Sequence, residues 1–207
     1  MIFSVKRSIF IVLLALAAAA FGGCSGKSDL TSAEKALMEG PDSLMRVLTI
    51  YDKNDSLMLR SKSMDFTDRD LRSKAFESLS ARMLYTVKDP SQDGVGIAAP
   101  QVGLNRRVVT VQRFDLPGEP FKVYPNIRVE SLSGEISSGL EGCLSVPGWS
   151  GSVPRYSKVT ISYKDPSSLE VVRETVEGFT AVIFQHETDH LEGILYIDKA
   201  DSLWVDK

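Results

Sequence analysis

Histidine and cysteine are almost missing from this chain, with two of each among 207 residues. So few cysteines exclude a scaffold stapled by disulfides. Cations are not in surplus either: 24 Lys and Arg face 27 Asp and Glu, a net charge of −3, which excludes the broad basic face that a nucleic acid requires. The apolar run from Ile9 to Gly23 covers fifteen residues, short of the ~20 that cross a bilayer. Beyond it there is no internal repeat and no low-complexity tract.

What the N-terminus does have is Lys6 and Arg7 ahead of that run and small residues behind it, the layout of a secretory signal peptide spanning 1–23. Its removal would leave 22 basic against 27 acidic side chains. Phe21-Gly22-Gly23-Cys24 resembles the lipobox of bacterial lipoproteins, in which the cysteine becomes a lipid-modified N-terminus; Phe21 stands where that family has a smaller aliphatic residue. The resemblance implies lipidation of Cys24, export, and a membrane of the bacterial cell envelope as a partner. An ordinary secreted protein and an uncleaved signal anchor are the alternatives. From Ser25 the chain is small and polar, so 24–44 is expected to be a flexible tether. The remaining 45–207 suffices for one catalytic domain.

Within that body, Thr67 with Asp70 three residues on, followed by Leu71, Ala75, Leu79, Met83 and Val87, predicts an amphipathic helix over 68–87, closed by Pro90. Short β-branched stretches at 108–111, 122–124, 158–163 and 171–172 are punctuated by turn residues and predict strands. A continuous apolar segment from Thr180 to Leu191, stopped by Gly193, predicts a buried helix. Helix, then strands, then helix indicates an α+β fold, with short antiparallel strands packed around a C-terminal helix.

Both histidines lie in that last helix, as His186-Glu187-Thr188-Asp189-His190. Positions i and i+4 share one helix face, so two imidazoles can grip one metal ion with a carboxylate beside them. Two incidental histidines on a largely buried helix would be costly to leave unpaired. A catalytic zinc-type site needs a third protein ligand and an open position for water. No histidine follows His190, and the one downstream glutamate, Glu192, is too close, so the third ligand comes from upstream. Cys143, in Glu141-Gly142-Cys143-Leu144-Ser145, is the natural candidate because a thiolate is a soft donor. Its alternative role is that of a small buried hydrophobe.

Three segments together resemble the peptide deformylase family: Gly94-Val95-Gly96-Ile97-Ala98-Ala99-Pro100-Gln101, Glu141 to Ser145, and Gln185 to Gly193. The likeness runs from about Met45 to Ile197. It implies that Cys143, His186 and His190 hold the metal and that Glu187 is the acid/base. It implies further that the Gln101 side-chain amide and the Leu144 N–H form an oxyanion hole, with Gly96 and Gly142 offering backbone groups to an extended peptide. Ile97 and Thr188 depart mildly from the family pattern. Asp189 is expected to support the helix rather than the chemistry. The small residues at 94, 96, 98 and 99 are expected to let backbone approach a ligand closely.

The expected function is therefore removal of the formyl group from N-formylmethionyl peptides with release of formate, using one divalent ion, Fe2+ or Zn2+. Export sits oddly with formylated chains, which are made in the cytoplasm. The alternatives are an exported metallo-amidase or peptidase acting on another N-acyl group, and a formyl-peptide-binding lipoprotein without turnover.

Overall fold

A computed structural model describes residues 28–92 and 94–206. The segment 1–23 expected to be a signal peptide, and Cys24, expected to carry lipid, lie outside those residues. Among the described residues no helix is long and apolar enough to cross a membrane.

The chain does not float free between Ser28 and Leu44, as a tether would. Thr31 and Glu34 form a reciprocal capping box that starts helix α1, Ser32–Met38. Leu30 and Met38 are buried in a cluster with Phe76, Leu79 and Met83, and Arg106, only 1% exposed, binds both Asp29 at 2.9 Å and Glu34 at 2.6 Å. The polar composition of this stretch reflects ion pairing to a buried guanidinium, which a composition argument cannot see.

Helix α2 spans Lys53–Leu59 under an Asp52 cap. The helix expected over 68–87 is two helices, α3 at Asp68–Leu71 and α4 at Lys74–Val87, because Ser73 is extended and caps a fresh start through the Phe76 N–H. The apolar stripe of α4 does pack inward: Ala75, Phe76, Leu79, Met83 and Val87 are all buried.

Two antiparallel sheets follow. Strands β1 (Gly96–Ala98), β2 (Val108–Gln112) and β3 (Phe121–Pro125) form the first in that order. Strands β4 (Arg128–Gly142), β5 (Trp149–Lys164) and β6 (Val171–Glu177) form the second, and β7 (Ser202–Val205) adds to β5. Helix α5, Phe179–Leu191, carries the paired histidines. Strand alternation sorts the core: Ile97 and Val108 join the α4 cluster, while Ala98, Val109 and Val111 join Phe184 and Leu191 of α5. Each such fully buried large aliphatic or aromatic side chain contributes ~1.5–3 kcal/mol. The first sheet is thus clamped between two helices, and its edge strand β1 is held rigidly beside α5. Glu192 caps the C-terminus of α5, and Gly193 takes the left-handed φ of 73° where a side chain would collide with the Arg60 carbonyl.

Candidate active site

Strand β4 ends at Gly142, and the turn that follows brings Cys143 onto the histidine face of α5. The donor atoms of Cys143, His186 and His190 all lie within 4.8 Å of one another, with Cys143 Sγ 3.3 Å from His190 Nε2. One soft sulfur and two imidazole nitrogens converging in a half-buried to buried cluster fit a single divalent ion with a fourth position open. Burial, reinforced by His186, holds His190 well below the ordinary imidazole range, so its ring is neutral and its lone pair free to bind. The alternative role of Cys143, a small buried hydrophobe, does not hold, because the residue is only partly buried and faces the histidines.

Behind the cluster lies a charged layer of which only Asp189, expected as a supporting group, is foreshadowed by the sequence. His186 Nδ1 lies 2.8 Å from Glu141 Oε2, leaving Nε2 to face forward. Glu141 in turn accepts two bonds from Arg155, at 2.7 and 3.0 Å. Arg155 reaches back to Asp189 at 2.6 Å, and Lys199 meets the other Asp189 oxygen at 2.6 Å. Although burial pushes Glu141 upward, the bonds from His186 and Arg155 hold its carboxyl down at about 2. The anion therefore fixes the His186 ring and its tautomer. Glu141 carries no signal of its own within its motif, and Arg155, 3% exposed on its side chain, has none beyond being an arginine in a strand.

Glu187 is buried in front of this layer. Its Oε2 has no hydrogen-bond partner among the described residues, and burial lifts its carboxyl to about 7, with the Glu141 charge adding to the rise and His186 opposing it. A group balanced between its two protonation forms near neutral pH can both take and return a proton. The Glu187 carboxylate fits because residue 96 has no side chain: a Cβ there would sit 2.5 Å from Oε1 and 2.8 Å from Cδ. The expected role of this glycine, approach to a ligand, is corrected in part, since the group that approaches it is the protein's own carboxylate. Gly142 differs, for a Cβ there would meet only the Trp149 carbonyl oxygen, at 3.9 Å.

Gln101 sits in the short 3-10 turn Ala99–Val102 after β1. Its Oε1 accepts the Ala98 N–H at 2.8 Å, which orients the amide so that Nε2 points at Ser145 Oγ, 3.3 Å, and Cys143 Sγ, 3.5 Å. The Leu144 N–H pairs with no backbone carbonyl among the described residues. Gln101 Nε2 thus lies on the thiol side of the cluster, and Leu144 lines the same cleft. Gln101, Cys143, Leu144, His186 and Glu187 open onto one cleft of about 430 Å³, walled by Val95, Leu140, Trp149, Phe179 and Val182. The cleft runs between the free edge of β1 and the end of β4, two sheet edges able to receive an extended chain.

Comparison with known proteins gives a consistent answer. The family described as polypeptide deformylase matches residues 45–204. The peptide deformylase of Leptospira biflexa is 36% identical over 152 residues, covering 70% of this chain and 83% of that protein. That of Halothermothrix orenii is 43% identical over 155 residues, covering 75% and 94%. Among solved structures, a class I type b peptide deformylase from Acinetobacter baumannii with bound Met-Ala-Ser aligns at a TM-score of 0.67 and 33% identity, covering 75% of this chain and 98% of that one. The peptide deformylase of Thermotoga maritima aligns at 0.67 and 30%, covering 77% and 99%.

Proposed function

The chain belongs to the peptide deformylase family, and from that premise we infer how its own residues divide the work. It is a metal-dependent hydrolase that removes the N-formyl group from peptides. The observation that carries this reading is the convergence of Cys143, His186 and His190 beside a buried, unpartnered Glu187.

A divalent ion on those three donors supplies Lewis-acid activation of water near neutral pH. Glu187 accepts the proton released from the attacking water and returns it to the departing amine. Gln101 Nε2 and the Leu144 N–H face the formyl oxygen as negative charge builds on it. Gly96 and Gly142, on the two sheet edges, hydrogen-bond the peptide backbone and hold the formyl carbon in register. The Glu141–Arg155–Asp189 layer keeps His186 in place throughout. Two imidazoles and one thiolate suit either Fe2+ or Zn2+.

We propose also that the protein is exported and anchored to a bacterial envelope membrane by lipid on Cys24, which the basic start, the short apolar run and the small residues before that cysteine support. Substrates there would be formyl-peptides or other formamides outside the cytoplasm. Formate release from formyl-methionyl peptides, with acetylated peptides as the comparison, tests the hydrolytic reading. A Cys24→Ala protein that still fractionates with membranes would count against the anchor.

A further inference from the structure

Away from the cleft, a second cavity of about 730 Å³ opens where the described chain begins, between Ser28, helix α1 and the start of α4. Four cations line it: Lys35, Arg69, Arg72 and Lys74. All four are exposed, and none forms an ion pair with a described residue, whereas Arg106, Arg107, Arg113 and Arg155 all do. Of the acids at the rim, Asp68 is paired with Lys164, and Asp70 sits in the box with Thr67. Asp70, although buried, keeps its negative charge because Thr67 is neutral, so Asp70 and Glu39 stand against four exposed positive charges, on a chain whose net charge is negative.

The position of this patch is fixed relative to Cys24. Asp29 is held by buried Arg106 and Leu30 is packed into the α4 core, so the chain emerges at one defined point on the cavity rim. Four peptide units separate Cys24 from Ser28, a reach of at most about 14 Å. Lipid on Cys24 would therefore bring this rim to the headgroup layer. The catalytic cleft lies at the other end of α4: Val87 packs against Gly94, which lines the cleft. A fourteen-residue helix places the two ends on the order of 20 Å apart.

We propose that the cationic cavity at the start of α4 docks on anionic phospholipid headgroups, orienting the body so that the peptide cleft stands clear of the bilayer. The proposal rests on the reading of Cys24 as an anchor for its geometry, but headgroup binding is measurable without lipid. A basic patch beside a lipid attachment point is an additional membrane signal of the kind that strengthens anchoring and sets orientation. Each cation close to an anionic surface strengthens binding about fivefold, an effect screened by salt.

The test uses the full-length Cys24→Ala protein, which cannot be lipidated, sedimented with vesicles of phosphatidylglycerol in phosphatidylcholine or of phosphatidylcholine alone. Phosphatidylcholine vesicles control for the apolar run near the N-terminus, and the charge-reversed protein, which keeps Lys6 and Arg7, controls for those two cations. The expected result is preference for the anionic vesicles, weakened by salt, reduced about tenfold or more by Arg69→Glu with Arg72→Glu, and retained by Arg69→Lys with Arg72→Lys. Formate release from a soluble formyl-peptide should be the same in all of these proteins, which shows that they fold. Equal binding to both vesicle types, or full anionic preference after charge reversal, overturns the proposal. Loss of lipidation in cells with anionic preference intact would instead refute the anchor and leave the docking face standing.

Discussion

The Oε1 atom of Glu187 lies 2.5 Å from the point that a Cβ on residue 96 would occupy. Strand β1 and helix α5 are thus spaced for a carboxylate and nothing more. Gly96→Ala should displace Glu187 or spread β1 from α5, costing about 1–3 kcal/mol of stability. Because a 1 Å misplacement at a reacting centre can cost about a hundredfold in rate, kcat should fall by at least that much while the protein remains folded. Circular dichroism alongside steady-state kinetics would check it.

Gly142 offers the contrasting case, since its Cβ would enter open cleft. Gly142→Ala should leave the melting temperature close to wild type and raise KM for a formyl-peptide several-fold, with a smaller effect on kcat. A fall in stability instead would mean that the protein's own packing, and not substrate, requires the glycine.

The bond from His186 to Glu141 predicts a change in metal retention. Glu141→Gln keeps the shape but removes the anion that fixes the imidazole, so metal affinity should drop about 10–100-fold. Competition with a chelator, read by elemental analysis of the protein fraction, gives the number. Arg155→Met should act in the same direction by removing the guanidinium that holds Glu141 in place, leaving His186 as its one partner.

How much of this was legible beforehand follows from what each residue does. The metal cluster could be read because its chemistry demands particular residue types at helical spacing, and the core strands because β-branched residues bury themselves. Strand β4 was missed: nearly all of its fifteen residues are exposed or half-buried, so no apolar alternation marks it. The break before α4 was hidden because the apolar stripe runs on through Ser73. Arg106, Arg113 and Arg155 are buried arginines, and burial of a guanidinium is decided by acids distant in sequence. The same cause made 28–44 look like tether, when Arg106 holds Asp29 and Glu34 onto the body.

That docking carries a pH signature. Partial burial pushes Glu34 up, but bonds from Arg106 and Thr31 prevail and take its carboxyl from 4.5 to about 2. Folding is then favoured while Glu34 is charged: its contribution is complete above about pH 4.5 and is lost as the pH falls toward 2. Glu34→Gln should flatten the stability profile across that window and leave it unchanged near neutrality apart from a constant loss. Denaturant melts at a series of pH values would measure this.

The most direct measurement is formate release from a formyl-methionyl peptide by metal-loaded wild type and Glu187→Ala, with metal content determined on the same samples. Wild type should release formate and leave an acetylated peptide untouched, and Glu187→Ala should bind the same amount of metal with turnover reduced at least a hundredfold. Undiminished turnover in Glu187→Ala, or wild type that carries its metal and releases no formate, would contradict the account.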